Sequence, residues 1–308
     1  MQRVIMDVDT GVDDAWAIIF ALSSPELKIE AFTTVAGNVE LDLTTQNTLK
    51  ILEMMGATHI PVGRGIGRPF MRELKTGKVA HGDDGLGNIG IPEASIKESN
   101  IHGVDLMIQT IMDNPNDITL IPVGPLTNVA AAILKEPRIV NNVKDVLIMG
   151  GAVLVPGNRS PAAEFNIYTD PEAAKIVFAS GMPMTLVGLD VTRKTLLRPH
   201  HLDLMAALGT AAGDFISRSA QIYLDFSKRR FGINGCALHD PLTVGVAIDR
   251  SLVTVKRMYV DVETVGEITR GETLADYYGT TGKEPNMDVC LDVDGDRFVD
   301  LFVKRIAG

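Results

Sequence analysis

The stretch Arg3–Leu22, RVIMDVDTGVDDAWAIIFAL, decides how the rest of the chain is read. Arg3–Val8 is a short apolar run with both faces hydrophobic, as expected of a strand covered on both sides. A brief turn then leads into Ala15–Leu22, which has the composition of a helix. A strand passing through a tight turn into a helix is the first half of a βαβ unit. Four carboxylates, Asp7, Asp9, Asp13 and Asp14, crowd this junction. Asp13 and Asp14 fall where free N–H groups and the helix dipole favour anions. Asp7 and Asp9 alternate about Val8, so they share a face and each needs a partner there. Carboxylates this close raise one another's pKa unless a cation or hydrogen-bond donors offset them. N-capping and a solvated turn explain part of the cluster; a divalent cation on hard oxygen ligands explains all of it. Calcium or magnesium suits such ligands, whereas zinc would call for His or Cys, absent from this stretch.

The same alternation continues outward. Ile29–Val35, Ile118–Val123, Val143–Met149 and Met184–Leu189 read as further strands. Leu41, Leu49, Leu52 and Met55 lie on one helical face that ends at Gly56, and Asp170-Pro171 starts another helix with an Asp cap and Pro at the first position. The expected fold is α/β, an open, mostly parallel sheet flanked by helices, within a single domain over 1–308. Leu202–Phe231 reads as an added helical region towards the C-terminus, and Val253–Val262 with Met287–Val293 as a late strand pair. Ligands of such sheets bind beyond the carboxyl ends of the strands, so polar residues there are the ones to examine. The long polar connections Gly63–Asn100 and Leu154–Asn166 are candidate functional loops.

Composition narrows the function. With 39 Asp and Glu against 29 Lys and Arg, the net charge of −10 argues against nucleic acid and against an anionic membrane surface as partners. Only two cysteines occur, Cys236 and Cys290, each among apolar neighbours; buried reduced thiols are expected, and with them a cytoplasmic location. Early carboxylates break any signal-peptide core, and no apolar run reaches membrane-spanning length.

Two more clusters carry chemistry. Glu164 and Asn166, with Asn158 on the same loop, form a hydrogen-bonding kit for vicinal hydroxyls, although turns use the same residues. His239-Asp240-Pro241 pairs a residue able to trade protons near neutrality with a carboxylate that would serve equally as a metal ligand or a cap. Two further stretches are dismissed. Asp292, Asp294 and Asp296 imitate a calcium loop, but the glycine is misplaced and Val303 stands where Glu is needed. Gly63, Gly65 and Gly67 lack both the dinucleotide spacing and an immediate helix.

An apolar strand followed by Met6–Thr10, MDVDT, also resembles the nucleophile motif of haloacid-dehalogenase-like magnesium-dependent phosphatases, but no late acidic pair follows an apolar strand. A fuller resemblance covers almost the whole chain. DVDTGVDDAWAI, Val35–Asn38 (VAGN), His81–Leu86 (HGDDGL), Gly124–Asn128 (GPLTN), Met149–Gly151, Ala163–Ala174 (AEFNIYTDPEAA) and Leu238–Pro241 (LHDP), in this order, resemble the inosine–uridine-preferring nucleoside hydrolase family. That resemblance implies hydrolysis of the N-glycosidic bond of ribonucleosides, one bound Ca2+, and a dimer or tetramer. It implies that Asp9, Asp14 and Asp240 ligate calcium through carboxylates and Val123 through its carbonyl. Asp13, Asn38, Asn158, Glu164 and Asn166 would hold the ribose, with Asp7 behind the metal ligands. Asp9 would take the proton of a metal-bound water, and His239 would protonate the leaving base. His81 would line the base pocket. Tyr223, Phe226 and Phe231 are expected to wall it, although aromatic residues at such spacing often serve the core. Purine-specific relatives sandwich the base between tryptophans; Trp16 is the only one here, which leans the expectation to uridine and cytidine, or inosine and uridine. A third possibility is a non-catalytic calcium-stabilised protein that binds sugars or nucleosides.

Overall fold

A computed structural model describes residues 1–308. The strands are β1 (Gln2–Val8), β2 (Leu27–Thr34), β3 (Val62–Arg64), β4 (Ile118–Pro122), β5 (Asp145–Met149), β6 (Met184–Val187), β7 (Leu196–Leu197), β8 (Cys236–Ala237), β9 (Val253–Met258), β10 (Val260–Val262), β11 (Thr273–Ala275) and β12 (Met287–Val293). Eight of them form one sheet in the order β3-β2-β1-β4-β5-β6-β12-β9. All neighbours are parallel except β12 and β9.

Alternation along the strands divides the core between the two faces. Val4, Met6 and Val8 of β1 enter one apolar cluster and Ile5 the other. Leu147 and Met149 of β5 likewise oppose Val146 and Ile148. The first face is covered by helices Val12–Leu22, Ala211–Phe231, His239–Ile248 and Gly295–Ala307. The second is covered by Gly103–Met112, Thr127–Lys135 and Pro171–Phe178. Both faces of the central strands are therefore dry, which is why their sequences read as continuous apolar runs.

Strand order sets the site. After β1 the chain steps outward through β2 to β3, then returns to the other side of β1 with β4. The crevice beyond the carboxyl ends of β1 and β4 is thus the topological switch point, where ligands of open α/β sheets bind. Asp9 follows β1 and Val123 follows β4, so both stand at its edge.

Several expectations are refined. The first helix begins at Val12, not Ala15, because the Asp14 carboxylate accepts the Gly11 N–H (3.0 Å) and closes the first turn. Val143–Met149 yields strand only from Asp145, the preceding residues completing a 3-10 turn Pro137–Asn141 and its exit. Val253–Val262 is split: β9 pairs with β12, but β10 turns away to pair with β11. Within Gly63–Asn100 lie part of β3 and the short helix Lys78–His81. The helical region forms two helices, Pro199–Ala207 and Ala211–Phe231, after which the chain returns to the sheet. Cys236 and Cys290 are free and buried. No helix is long and apolar enough to cross a membrane.

Candidate active site

The carboxyl end of β1 delivers Asp9, and the turn beyond it places Asp13 and Asp14 in the first turn of the next helix. Asp14 accepts the N–H groups of Asp9 (3.1 Å) and Gly11 (3.0 Å) and the side-chain amide of Asn38 (2.9 Å). Asp9 accepts the Asn38 N–H (2.7 Å) through Oδ2, while its buried Oδ1 has no partner. Gly37 and Gly124 press on that carboxylate: a Cβ on Gly37 would lie 2.1 Å from Asp9 Oδ2, and one on Gly124 2.9 Å from Oδ1. Asp240 arrives from the distant helix His239–Ile248. Carboxylate oxygens of Asp13, Asp14 and Asp240 all lie within 4.8 Å of one another. This trio contains Asp13 where the sequence reading has Asp9; Asp9 stands beside it, joined through its N–H to Asp14.

No Lys or Arg forms an ion pair with any of these four; the nearest basic group is His81 Nδ1, 3.8 Å from Asp13. Burial, first, and the neighbouring carboxylates, second, hold Asp9, Asp13 and Asp240 well above the ordinary carboxylate range. Asp14 is raised less, because its N–H and amide donors oppose the effect of burial. Asp7, one strand step below, accepts from Thr33 Oγ1 (2.5 Å) and Asn128 Nδ2 (2.8 Å), and burial pushes it up to about 7. It touches none of the trio through a hydrogen bond and supports them from within the sheet.

Beyond the trio a cavity of about 620 Å³ opens over the switch point. It is lined by Asp13, Asn38, Val123, Asn158, Glu164, Asn166 and Asp240 on one side and by His81, Tyr223, Phe226, Phe231 and His239 on the other. Of the site residues expected from the sequence, only Asp7, Asp9 and Asp14 do not face it; they lie beneath its floor, fully or almost fully buried.

Each polar group is aimed by a local bond. Glu164 caps the short helix Phe165–Thr169, accepting the N–H groups of Asn166 (2.9 Å), Ile167 (3.1 Å) and, from across the loop, Gly151 (3.0 Å). Asn166 donates its amide to the Val123 carbonyl (2.6 Å) and the Met149 carbonyl (3.3 Å), leaving its Oδ1 to accept from a ligand. Asn38 likewise commits its amide to Asp14 and retains an acceptor. Asn158 Oδ1 is bound to the Phe165 N–H (2.9 Å), so its NH2 group is the part free to donate.

The opposite wall is apolar with polar tips. Tyr223 packs near Trp16 and His81, both at 6.0 Å between ring centroids, and its hydroxyl donates to the Ala237 carbonyl (3.2 Å). Phe226 and Phe231 meet edge to face at 5.7 Å. His81 Nδ1 accepts the Val12 N–H (3.1 Å), which fixes its remaining proton on Nε2. Burial pushes His81 down to about 4. His239 is pushed down to about 3, by burial first and then by Arg193 and His81. Trp16 is fully buried, its indole N–H donating to Ser219 Oγ (3.0 Å), and contributes no face to the cavity.

A buried acidic trio, a hydroxyl-binding rim and an aromatic wall in one cavity suit a polar ring joined to a flat base. A family model described as inosine-uridine preferring nucleoside hydrolase matches residues 4–300. The chain belongs to this nucleoside hydrolase family. The enzyme is 41% identical over 304 residues to a pyrimidine-specific ribonucleoside hydrolase, RihA, of Salmonella arizonae, an alignment covering 98% of this chain and 97% of the relative. A solved purine-preferring ribonucleoside hydrolase from Gardnerella vaginalis superposes with a TM-score of 0.95 at 36% identity, covering 100% of this chain and 98% of the other. A solved plant nucleoside hydrolase gives the same TM-score and identity, covering 100% and 99%. One relative's name gives pyrimidines and another's purines, so the shared backbone does not set the base.

The sequence reading overlooked the turn after β6. Asp190 accepts the N–H groups of Val153 (2.9 Å) and Leu154 (2.8 Å), and Arg193 donates to the carbonyls of Pro156 (2.8 Å) and Gly157 (2.9 Å). Between them they clamp the loop that carries Asn158. The available signal was positional: Asp190, Thr192 and Arg193 are polar residues directly after a strand, in a sheet of this class.

Proposed function

We propose that the chain is a calcium-dependent ribonucleoside N-ribohydrolase that prefers uridine and cytidine, with inosine the next candidate. What carries the reading is the meeting, in one cavity, of the Asp13 and Asp240 carboxylates, with Asp14 just beneath them, a hydroxyl-binding rim and an aromatic wall. Four buried carboxylates without a basic partner, one with an unpaired oxygen, fit a hard divalent cation. Asp9, Asp14 and Asp240, with the Val123 carbonyl, would hold it, and Asp13 lies within reach of both metal and ribose. When bound, calcium would supply charge that offsets the carboxylates and acidify a water beside Asp9.

The residues divide the remaining work. Asp9 Oδ1 is the acceptor for the proton of the attacking water. Asn38 and Asn166 offer acceptors, and Asn158 a donor, to the ribose hydroxyls. Glu164, held by three backbone N–H groups, fixes a carboxylate beside the same ring. As the C1′–N bond breaks, positive charge builds on the sugar, and the preorganised Glu164 carboxylate and amide oxygens favour that state over the ground state. The water oxygen bonds to C1′, the bond's electron pair passes to the base, and His239, acting as the imidazolium, gives the base its Nε2 proton from the cavity side and is left a neutral imidazole. Tyr223, Phe226, Phe231 and His81 enclose the base. A pyrimidine preference follows from the lack of an exposed indole, and RihA's name agrees. The whole chain, 1–308, works as one domain, because the first strand and the late strands β9 and β12 share the one sheet whose end carries this cavity. Two free buried thiols suit a cytoplasmic enzyme, and a homo-oligomer, dimer or tetramer, is the expected assembly.

One assay tests the reading: uridine, cytidine, inosine and p-nitrophenyl phosphate, each with and without chelator, followed by measurement of reducing sugar and phosphate. Base release lost on chelation is the expected result. Binding without base release would instead identify a nucleoside-binding protein, and phosphate release a phosphatase.

A further inference from the structure

We propose that Thr192 is a positioning residue for the reaction: its hydroxyl holds the His239 imidazole so that an Nε2–H always faces the leaving base. The inference rests on the reading of His239 as proton donor given above. Thr192 Oγ1 lies 2.7 Å from His239 Nδ1, and this is the only hydrogen bond the buried hydroxyl makes. Its backbone is fixed. The Thr192 N–H donates to Gly188 (3.1 Å), and its carbonyl accepts both the N–H (3.3 Å) and the hydroxyl (2.9 Å) of Thr195. Thr195 in turn accepts the Leu238 N–H (2.9 Å), the residue just before His239. Two segments distant in sequence are thereby locked side by side at the ring.

A threonine hydroxyl suits this place because it both donates and accepts. Towards a neutral imidazole it donates to Nδ1, which leaves the ring proton on Nε2. Towards an imidazolium it accepts from Nδ1–H, and Nε2–H is again present. In either state the nitrogen turned away from Thr192 carries a proton, and that nitrogen belongs to a residue lining the cavity. Without the hydroxyl, the neutral ring would divide between two tautomers and could rotate, and only one arrangement can serve the base. The same turn also clamps the Asn158 loop through Asp190 and Arg193. Proton donor and ribose site are thus referred to one rigid element, the segment Leu189–Arg193.

The test compares Thr192→Val, which keeps shape and loses the hydroxyl, with Thr192→Ser, which keeps the hydroxyl, in wild-type and His239→Ala backgrounds. Substrates are uridine and p-nitrophenyl β-D-ribofuranoside, whose leaving group needs no proton. Thr192→Val is expected to lower kcat on uridine about tenfold, the effect of one lost hydrogen bond, with KM little changed. On the nitrophenyl riboside it should behave as wild type, and Thr192→Ser should recover most of the uridine activity. Adding Thr192→Val to His239→Ala should cause no further loss. Equal losses on both substrates, or an undiminished loss in the His239→Ala background, would overturn the inference and leave Thr192 a packing residue. If His239→Ala alone kept full activity on uridine, the assignment of His239 would fall first, and this inference with it. Should Thr192→Val not fold, Thr192→Ala is read by the same criteria.

Discussion

Asp240 shows how much one side chain can carry at this site. It is buried, faces Asp13 and Asp14, and has no basic neighbour to offset it. Replacing it with Ala should lower base release by more than about a hundredfold, on the scale of losing a metal-site residue. Bound calcium, measured per chain by atomic emission, should fall with it; full metal content and activity would remove Asp240 from the ligand set. Asp9→Ala should behave alike if its unpaired Oδ1 serves metal or water. The sequence around Asp9 already demanded partners for its carboxylates, because so dense a cluster is unstable alone. It did not reveal that Asp13 joins Asp14 and Asp240 in one cluster. That depends on which way a helical turn faces a helix arriving from far along the chain.

At the scale of elements, caps and walls make separable predictions. Asp170 caps the helix Pro171–Phe178 through the Ala173 N–H (3.1 Å) and also accepts from Thr127 Oγ1 (2.7 Å) and the Phe70 N–H (3.0 Å). Asp170→Ala should destabilise the fold by about 2 kcal/mol, the upper range of a lost cap. The shift should appear in thermal or urea unfolding while kcat holds. Phe226, half-buried on the helix Ala211–Phe231, should act otherwise. Phe226→Ala is expected to raise KM for uridine roughly tenfold through lost apolar contact, with kcat within a few-fold; a fall in kcat alone would place Phe226 outside the base wall. The cap at Asp170 was legible because Asp-Pro is a local signal. The three-residue strand β3 was not, since so short a run with a central Gly has no periodicity to detect. The separation of β10 from β9 was also hidden, because their pairing partners lie elsewhere in the chain.

For the molecule as a whole, the metal should couple activity to stability. A ligand that binds only the folded state stabilises it in proportion to its affinity, and without the ion four buried carboxylates repel one another. Chelation should therefore abolish base release and lower the melting temperature by several degrees, and added calcium should restore both. Loss of activity with an unchanged melting temperature would mean that the ion is not built into the fold. Determined by the sequence alone were the strand–helix alternation, the mostly parallel sheet, the acidic turn after the first strand and the ordered motifs of the family, because hydrophobic period and capping act over a few residues. Tertiary structure alone decided the return of the chain from β3 to β4, which sets Asp9 beside Val123. It also decided that Asp13 joins Asp14 and Asp240, whose meeting the family motifs implied, and the contact of Thr192 with His239. These are distances between segments far apart in the chain, fixed by strand order and helix packing, and no local pattern encodes them.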